Sequence, residues 1–179
     1  MRLVKMFSKV LLFLGISMFL LLSACVKPQE FSVEPYIEFR ENTIKSDLSG
    51  RETLYVKFYF QDGDGDIGRY STEETPPYVG VYKYNLYFLL YEKMKDTTYQ
   101  PVYLRDSMGS HCIEYPYIIK YIEPVNSNKA MSGTITWEMN DFQFIKQYMK
   151  GKTIRFNIFL YDRSLHKSNV ISTSDILVR

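Results

Sequence analysis

Apolar and polar residues alternate along several short segments of this chain. Leu54, Val56, Phe58 and Phe60 share one face of the clearest segment. Because successive side chains of an extended strand point to opposite faces, this period-2 pattern predicts half-buried β-strands. Aromatic residues make up 16% of the chain and favour the same structure. Segments with the pattern are 37–44, 54–60, 84–90, 100–104, 115–122, 135–137, 154–160 and 170–178.

One segment has helical spacing instead. Asn140-Asp141 can begin a helix, and Gly151 can end it. The apolar residues between them recur at intervals of three or four: Phe142, Ile145, Tyr148 and Met149. Many short strands with one helical connection predict an all-β fold, which we expect to be an Ig-like antiparallel β-sandwich of about seven to eight strands with one short helical crossover.

The first 24 residues have the features of a secretory signal. A short basic stretch precedes an apolar run of thirteen residues, 10–22, which is too short to span a bilayer comfortably. Leu22-Ser23-Ala24-Cys25 follows and resembles the lipobox of bacterial lipoproteins. That resemblance implies cleavage before Cys25, transfer of diacylglycerol to its thiol, and a further fatty acyl chain, such as palmitate, on the new amino terminus. An uncleaved membrane helix, or a secretory signal in which Cys25 is incidental, is the alternative.

We therefore expect three parts: a lipoprotein signal peptide over 1–24, a lipidated tether over 25–35, and one Ig-like domain over 36–179. Proline and polar residues dominate the tether. Val26, rather than an acidic residue, follows Cys25, and by analogy with lipoprotein sorting this favours the cell outer membrane.

The charge balance argues against nucleic acid as a partner. The chain has 22 basic and 20 acidic residues. Three basic residues and no acidic ones lie in the predicted signal (Arg2, Lys5 and Lys9), so 19 basic residues remain in the mature chain against 20 acidic ones. A nearly neutral domain lacks the positive patch that binds phosphates.

The motif with the most chemistry is Gln61-Asp62-Gly63-Asp64-Gly65-Asp66-Ile67-Gly68, directly after a predicted strand. Carboxylates at alternate positions repel one another, and a hard cation removes that cost. Calcium takes six to eight oxygen ligands, so Asp62, Asp64 and Asp66 predict a Ca²⁺ site. The loop departs from an EF-hand because Ile67, which we expect to turn inward, replaces the required glycine. A solvated, metal-free Asp-Gly turn is the alternative.

Ig-like wiring brings the loop after 153–161 to the same end of the sandwich. Asp162 or Asn169 can then complete the coordination, and Glu73 and Glu74 are further candidates. Asp162 can instead pair with Arg163 or cap a turn.

The lipobox, the short tether, the DGDGDIG loop (62–68) and the loop DRSLHKSN (162–169) together resemble small outer-membrane lipoproteins of Bacteroidota-type bacteria. The resemblance implies an Ig-like or cadherin-like sandwich on the outer membrane. It implies no particular activity.

Catalytic motifs are absent from the sequence, and we expect no enzyme. Cys112 follows His111, but neighbouring strand residues face opposite ways, so we expect a buried, inert thiol rather than a nucleophile or metal pair. The predicted function is a non-catalytic, lipid-anchored envelope module, either binding or structural, that calcium stabilises. Its partners are the membrane and a glycan or envelope protein.

The alternative function is a carbohydrate-binding accessory lipoprotein of a glycan-uptake system. Alternate tyrosines on an outer sheet face can stack on sugar rings, although core and edge packing explains them equally well. The tyrosines concerned are Tyr78, Tyr82, Tyr84, Tyr87 and Tyr91.

Overall fold

Two antiparallel sheets form the domain in the computed structural model, which describes residues 30–70, 72–106, 109–125 and 129–179. The predicted signal peptide and the predicted lipidation site Cys25 lie outside these residues. The strands are β1 Tyr36–Ser46, β2 Glu52–Asp62, β3 Leu86–Lys93, β4 Tyr99–Pro101, β5 Tyr103–Asp106, β6 Gly109–Cys112, β7 Glu114–Tyr117, β8 Met131–Met139, β9 Thr153–Leu160, β10 Ile171–Ser172 and β11 Ile176–Leu177. A 3-10 turn spans Gly80–Tyr82, and helix α1 spans Phe142–Met149.

The strand order matches the predicted sandwich. One sheet has the order β1-β2-β8, and the other has the order β10-β9-β3-β4. β7 also pairs with β3, β11 also pairs with β9, and β5 and β6 form a separate hairpin. Helix α1 connects β8 in the first sheet to β9 in the second. The prediction of an all-β sandwich with one helical crossover is confirmed.

The described chain has more and shorter strands than predicted. The predicted strand 170–178 is divided into β10 and β11 around the buried Thr173, whose hydroxyl accepts a hydrogen bond from the Phe156 amide at 3.0 Å. Likewise, segment 100–104 is divided into β4 and β5. Val102 interrupts it by donating its amide to the Leu90 carbonyl and accepting from Ile113.

The core lies between the sheets because the alternation places every second residue there. Four buried side chains come from β2 and four from β9: Leu54, Val56, Phe58, Phe60, Ile154, Phe156, Ile158 and Leu160. The outer face of the first sheet is charged, with Lys57 paired to Glu41 at 3.2 Å. Ile67 is fully buried in the same core, as predicted.

Helix α1 closes the end of the sandwich opposite the aspartate loop. Phe142, Ile145 and Met149 are buried, whereas Tyr148 is 76% exposed rather than facing the core. Asp141 occupies the N-cap position without a side-chain capping bond, since its carboxylate accepts the Tyr117 hydroxyl at 3.0 Å instead.

Three glycines hold the loop 63–68 against neighbouring backbone. A Cβ on Gly63 would lie nearer than 3.0 Å to the carbonyls of Phe31 and Ser32, and one on Gly68 would meet the carbonyl of Lys120. Gly65 is similarly enclosed by Pro124 and the carbonyl of Lys129. Real Cβ atoms do not make such contacts, so these positions require glycine. The chain after β2 therefore runs alongside residues 119–122, to which Ile67 and Arg69 are hydrogen-bonded through their backbones.

Gly68→Ala tests this close packing, with Gly50→Ala as its matched control. Both glycines have positive φ, 87° and 78°, but a Cβ on Gly50 meets nothing within 4 Å. The positive φ costs an alanine about 1 kcal/mol, and overpacking adds about 2 kcal/mol at Gly68 alone. We expect urea denaturation to show the larger loss of unfolding free energy for Gly68→Ala. Equal losses would show that the loop is not closely packed.

Candidate metal centre

The ends of β2 and β9 bring four aspartates together. Asp62 is the last residue of β2, and Asp162 follows β9 by two residues. The Arg163 amide donates to the Asp66 carbonyl at 3.1 Å and holds the two loops side by side. One carboxylate oxygen from each of four residues lies within 4.8 Å of the others: Asp62, Asp64, Asp66 and Asp162. The predicted meeting of the two loops is therefore observed.

Three of these carboxylates present an oxygen without a hydrogen-bond partner. The Oδ1 atoms of Asp62, Asp64 and Asp66 are buried and accept no hydrogen bond. Asp62 itself is fully buried. A buried carboxylate oxygen without a donor is costly, and a cation among the three could supply the missing partner.

In two of these aspartates, hydrogen bonds to Oδ2 fix the orientation of the carboxylate. Asp62 Oδ2 accepts the backbone N–H of Asp66 at 2.8 Å. Asp66 Oδ2 accepts both the amide and the hydroxyl of Ser164, at 2.9 and 2.7 Å. These bonds hold Oδ2 of each side chain and leave Oδ1 without a hydrogen-bond partner.

Asp162 is held by the loop that follows it. It is 2% exposed, and its Oδ1 accepts the His166 amide at 2.8 Å. Its Oδ2 lies 3.0 Å from Nδ1 of His166. The imidazole therefore contacts a member of the cluster from outside, as the partner of a metal-binding carboxylate commonly does.

Burial and mutual repulsion shift the titration of the cluster. Burial, together with the charges of the other three aspartates, raises the pKa of Asp62 to about 7. Burial also raises the pKa of Asp162 to about 6, with repulsion from Asp66 acting in the same direction. The hydrogen bond and charge of Asp162 raise the pKa of His166. A divalent cation would remove the repulsion and restore the ionised forms.

Glu73, which was predicted as a metal ligand, is not a member of the cluster. Its Oε1 pairs with Arg163 at 2.6 Å, and its Oε2 accepts the Tyr70 amide at 3.0 Å. Arg163 thus pairs with Glu73 rather than with Asp162. The guanidinium lies 5.2 Å from the ring centres of Tyr70 and Tyr121, which direct it away from the aspartates.

The other candidate ligands have different roles. Asn169 accepts the Ile37 amide at 2.8 Å and donates to the Ile37 carbonyl at 2.9 Å, which attaches the start of β1 to the 162–169 loop. Glu74 is exposed and outside the cluster. Of Asp162, Asn169, Glu73 and Glu74, the structure brings only Asp162 to the three loop aspartates.

Sequence patterns did not reveal Arg69. It is 2% exposed, and its guanidinium donates to the carbonyls of Tyr82 at 3.1 Å, Lys83 at 2.5 Å, and Glu73. It therefore holds Glu73, Tyr82 and Lys83 against the end of the aspartate loop. Because every acceptor is a backbone carbonyl, no spacing of side chains could have indicated this role.

Elsewhere in the described ranges no second group of three His, Cys, Asp or Glu side chains is placed to bind a metal ion. Cys112 is half-buried, and burial raises the pKa of its thiol, which disfavours the reactive thiolate. His111, its neighbour on β6, is exposed. These facts agree with the expectation of an unreactive thiol.

The five tyrosines of the glycan hypothesis form no exposed row. Tyr87 is 7% exposed, its hydroxyl donates to the Val81 carbonyl, and its ring stacks on Phe159 with centroids 5.1 Å apart. The hydroxyl of Tyr78 donates to the Arg163 carbonyl at 3.0 Å. The remaining three, Tyr82, Tyr84 and Tyr91, are half-buried. Contacts within the domain account for Tyr78 and Tyr87.

Comparison with known proteins gives no relative: no family model, no curated protein and no solved structure matches the chain. Among the helices of the described residues, none has the length and hydropathy needed to cross a bilayer.

The raised pKa values predict an unusual pH dependence for the metal-free protein. The ordinary Asp value is 3.8, so between pH 4 and about 7 the folded chain holds protons that the unfolded chain has released. Stability then falls as pH rises through this range. The raised pKa of His166 acts in the same direction, because its charged bond to Asp162 is lost as pH rises.

We expect the melting temperature in chelator to fall between about pH 5 and about pH 7.5. Asp62→Asn, which lacks the buried acid, should show a smaller fall. The aspartates with lowered pKa values, such as Asp47 and Asp175, titrate below this range. A melting temperature that rises with pH in chelator would contradict the arrangement of the cluster.

Proposed function

We propose that this protein is a non-catalytic, lipid-anchored module of the cell envelope, and that a calcium ion joins the loops at one end of its sandwich. The observation that supports the proposal best is the cluster of four aspartates, three of which present a buried oxygen with no donor. A solvated turn would leave those oxygens facing water. A bound ion gives all of them a partner.

Calcium suits this cluster better than other common ions. Its oxygen ligands lie about 2.3–2.6 Å from the ion, so ligands on opposite sides are about 5 Å apart. The four carboxylate oxygens all lie within 4.8 Å of one another, so a single ion can contact all of them. Magnesium needs about 2.0–2.1 Å and a near-ideal octahedron, and zinc prefers nitrogen and sulfur ligands. Asp62, Asp64, Asp66 and Asp162 would hold the calcium, with further oxygens completing its shell.

The position of the cluster supports a structural role for the ion. Three ligands come from the loop after β2, in the first sheet, and the fourth follows β9, in the second sheet. An ion shared by both loops would tie the two sheets together at that end. The ligand oxygens belong only to carboxylates, and the nearby His166 points its Nδ1 at one of them.

The proposed location rests on the sequence Leu22-Ser23-Ala24-Cys25. Acylation there would give the protein two or three fatty chains, and two chains are enough for stable anchoring. We propose the cell outer membrane as its location and an envelope protein as its partner. Glycan binding has less support, because the tyrosines expected to stack on sugars are buried or half-buried.

Asp62→Asn tests the proposal directly. The new side chain keeps an oxygen that can accept the Asp66 amide but removes one buried charge. We expect the variant to melt at a higher temperature than the wild type in chelator at neutral pH. We also expect it to lose the rise that calcium gives the wild type. At a hundred times its dissociation constant, the ion adds about 2.7 kcal/mol to wild-type stability, or roughly 5–10 °C.

Glu73→Gln is the matched control, because Glu73 lies beside the loop but outside the cluster. It should keep the full response to calcium in differential scanning calorimetry. An unchanged calcium response in Asp62→Asn would remove the metal from the account.

A further inference from the structure

The chain enters the domain at the end of the sandwich that carries the four aspartates, which we call the metal end. The carbonyls of Phe31 and Ser32 lie directly against Gly63, in the aspartate loop. β1 then begins with Tyr36 opposite Gln61, the residue before Asp62. The side chain of Asn169 holds the next residue, Ile37, through both its backbone groups. Residues 31–37 are therefore attached to both loops that supply the aspartates.

Few residues separate Cys25 from this attachment in the sequence. Phe31 follows Cys25 by six positions in the sequence, and six residues can span at most about 20 Å. The other end of the sandwich is farther away, because β2 has eleven residues and is roughly 35 Å long. Leu48, in the turn between β1 and β2, and helix α1 lie at that far end.

The exposed side chains at the metal end suit a bilayer interface. Val33, Tyr36, Tyr70 and Val125 are 51%, 46%, 47% and 98% exposed. Tyrosine concentrates at the headgroup level, where an apolar ring and a polar hydroxyl are both accommodated. Basic side chains that can reach lipid phosphates are exposed beside them, on Lys120 and Lys129.

The broad face of the first sheet is less suited to lipid. Its outer surface carries exposed charges, including the pairs Arg40–Glu38 at 3.0 Å and Lys57–Glu41 at 3.2 Å. Laying this face on a membrane would desolvate those charges without providing new partners. An upright orientation, with the metal end downward, avoids that cost.

We propose that the metal end is the membrane-facing surface of the domain and that Val33, Tyr36, Tyr70 and Val125 rest in the headgroup layer. This inference depends on the proposed lipid attachment at Cys25. It also assigns the calcium ion a position close to the bilayer and directs helix α1 away from it.

Tryptophan quenching in vesicles tests the orientation. The full mature protein carrying Val125→Trp or Leu48→Trp is reconstituted with phospholipids brominated close to the headgroup. Both positions are fully exposed, so neither substitution disturbs the core, and the native Trp137 gives the same background in both. We expect quenching of the Val125→Trp fluorescence to exceed that of Leu48→Trp by about twofold or more, because only the first residue reaches the bromine layer.

The mass of the N-terminal peptide separates this inference from the function on which it rests. Acyl chains on Cys25, together with stronger quenching at position 125, support both. An acylated protein with equal quenching at the two positions, or with stronger quenching at position 48, overturns the orientation and leaves the anchor in place. A peptide without acyl mass overturns the anchor and the orientation together.

Discussion

Repulsion among four clustered carboxylates is the constraint on which this end of the molecule depends. Oxygens of Asp62, Asp64, Asp66 and Asp162 lie within 4.8 Å of one another, and burial and like charge raise the pKa of Asp62 to about 7. Close like charges are unfavourable without a neutralising ion. Hydrogen bonds from the Asp66 amide to Asp62 and from Ser164 to Asp66 hold two of the carboxylates in place. The fold therefore maintains an arrangement that favours a cation.

This constraint extends through neighbouring contacts to most of the loops at that end. Asp66 accepts a hydrogen bond from Ser164, and Asp162 accepts one from His166. Together these two bonds fix the conformation of the loop after β9. From that loop Arg163 pairs with Glu73 and so reaches the 70–83 segment. Asn169 extends the network to the start of β1. An ion at the aspartates would therefore order the point where the chain enters the domain as well as its own ligands.

The features that could be predicted from sequence are those with a regular period or a strong local charge. Alternation located β2, β3, β8 and β9 because the side-chain period of a strand is a geometric property. The three aspartates of the 62–66 loop were identified by their density, and Asp162 by the wiring of the sandwich. The pairing of Glu73 with Arg163 was not predicted, because the irregular chain after Gly68 has no period that gives the direction of a side chain. Arg69 was missed because its partners are backbone carbonyls.

Calorimetric titration of the domain with calcium tests the central claim most directly. The account predicts saturable binding of one ion per chain at neutral pH. It also predicts proton release near pH 7, seen as a heat that depends on the buffer, because binding must displace the proton that Asp62 holds with a pKa of about 7. The absence of saturable heat would contradict the claim that these carboxylates form a cation site.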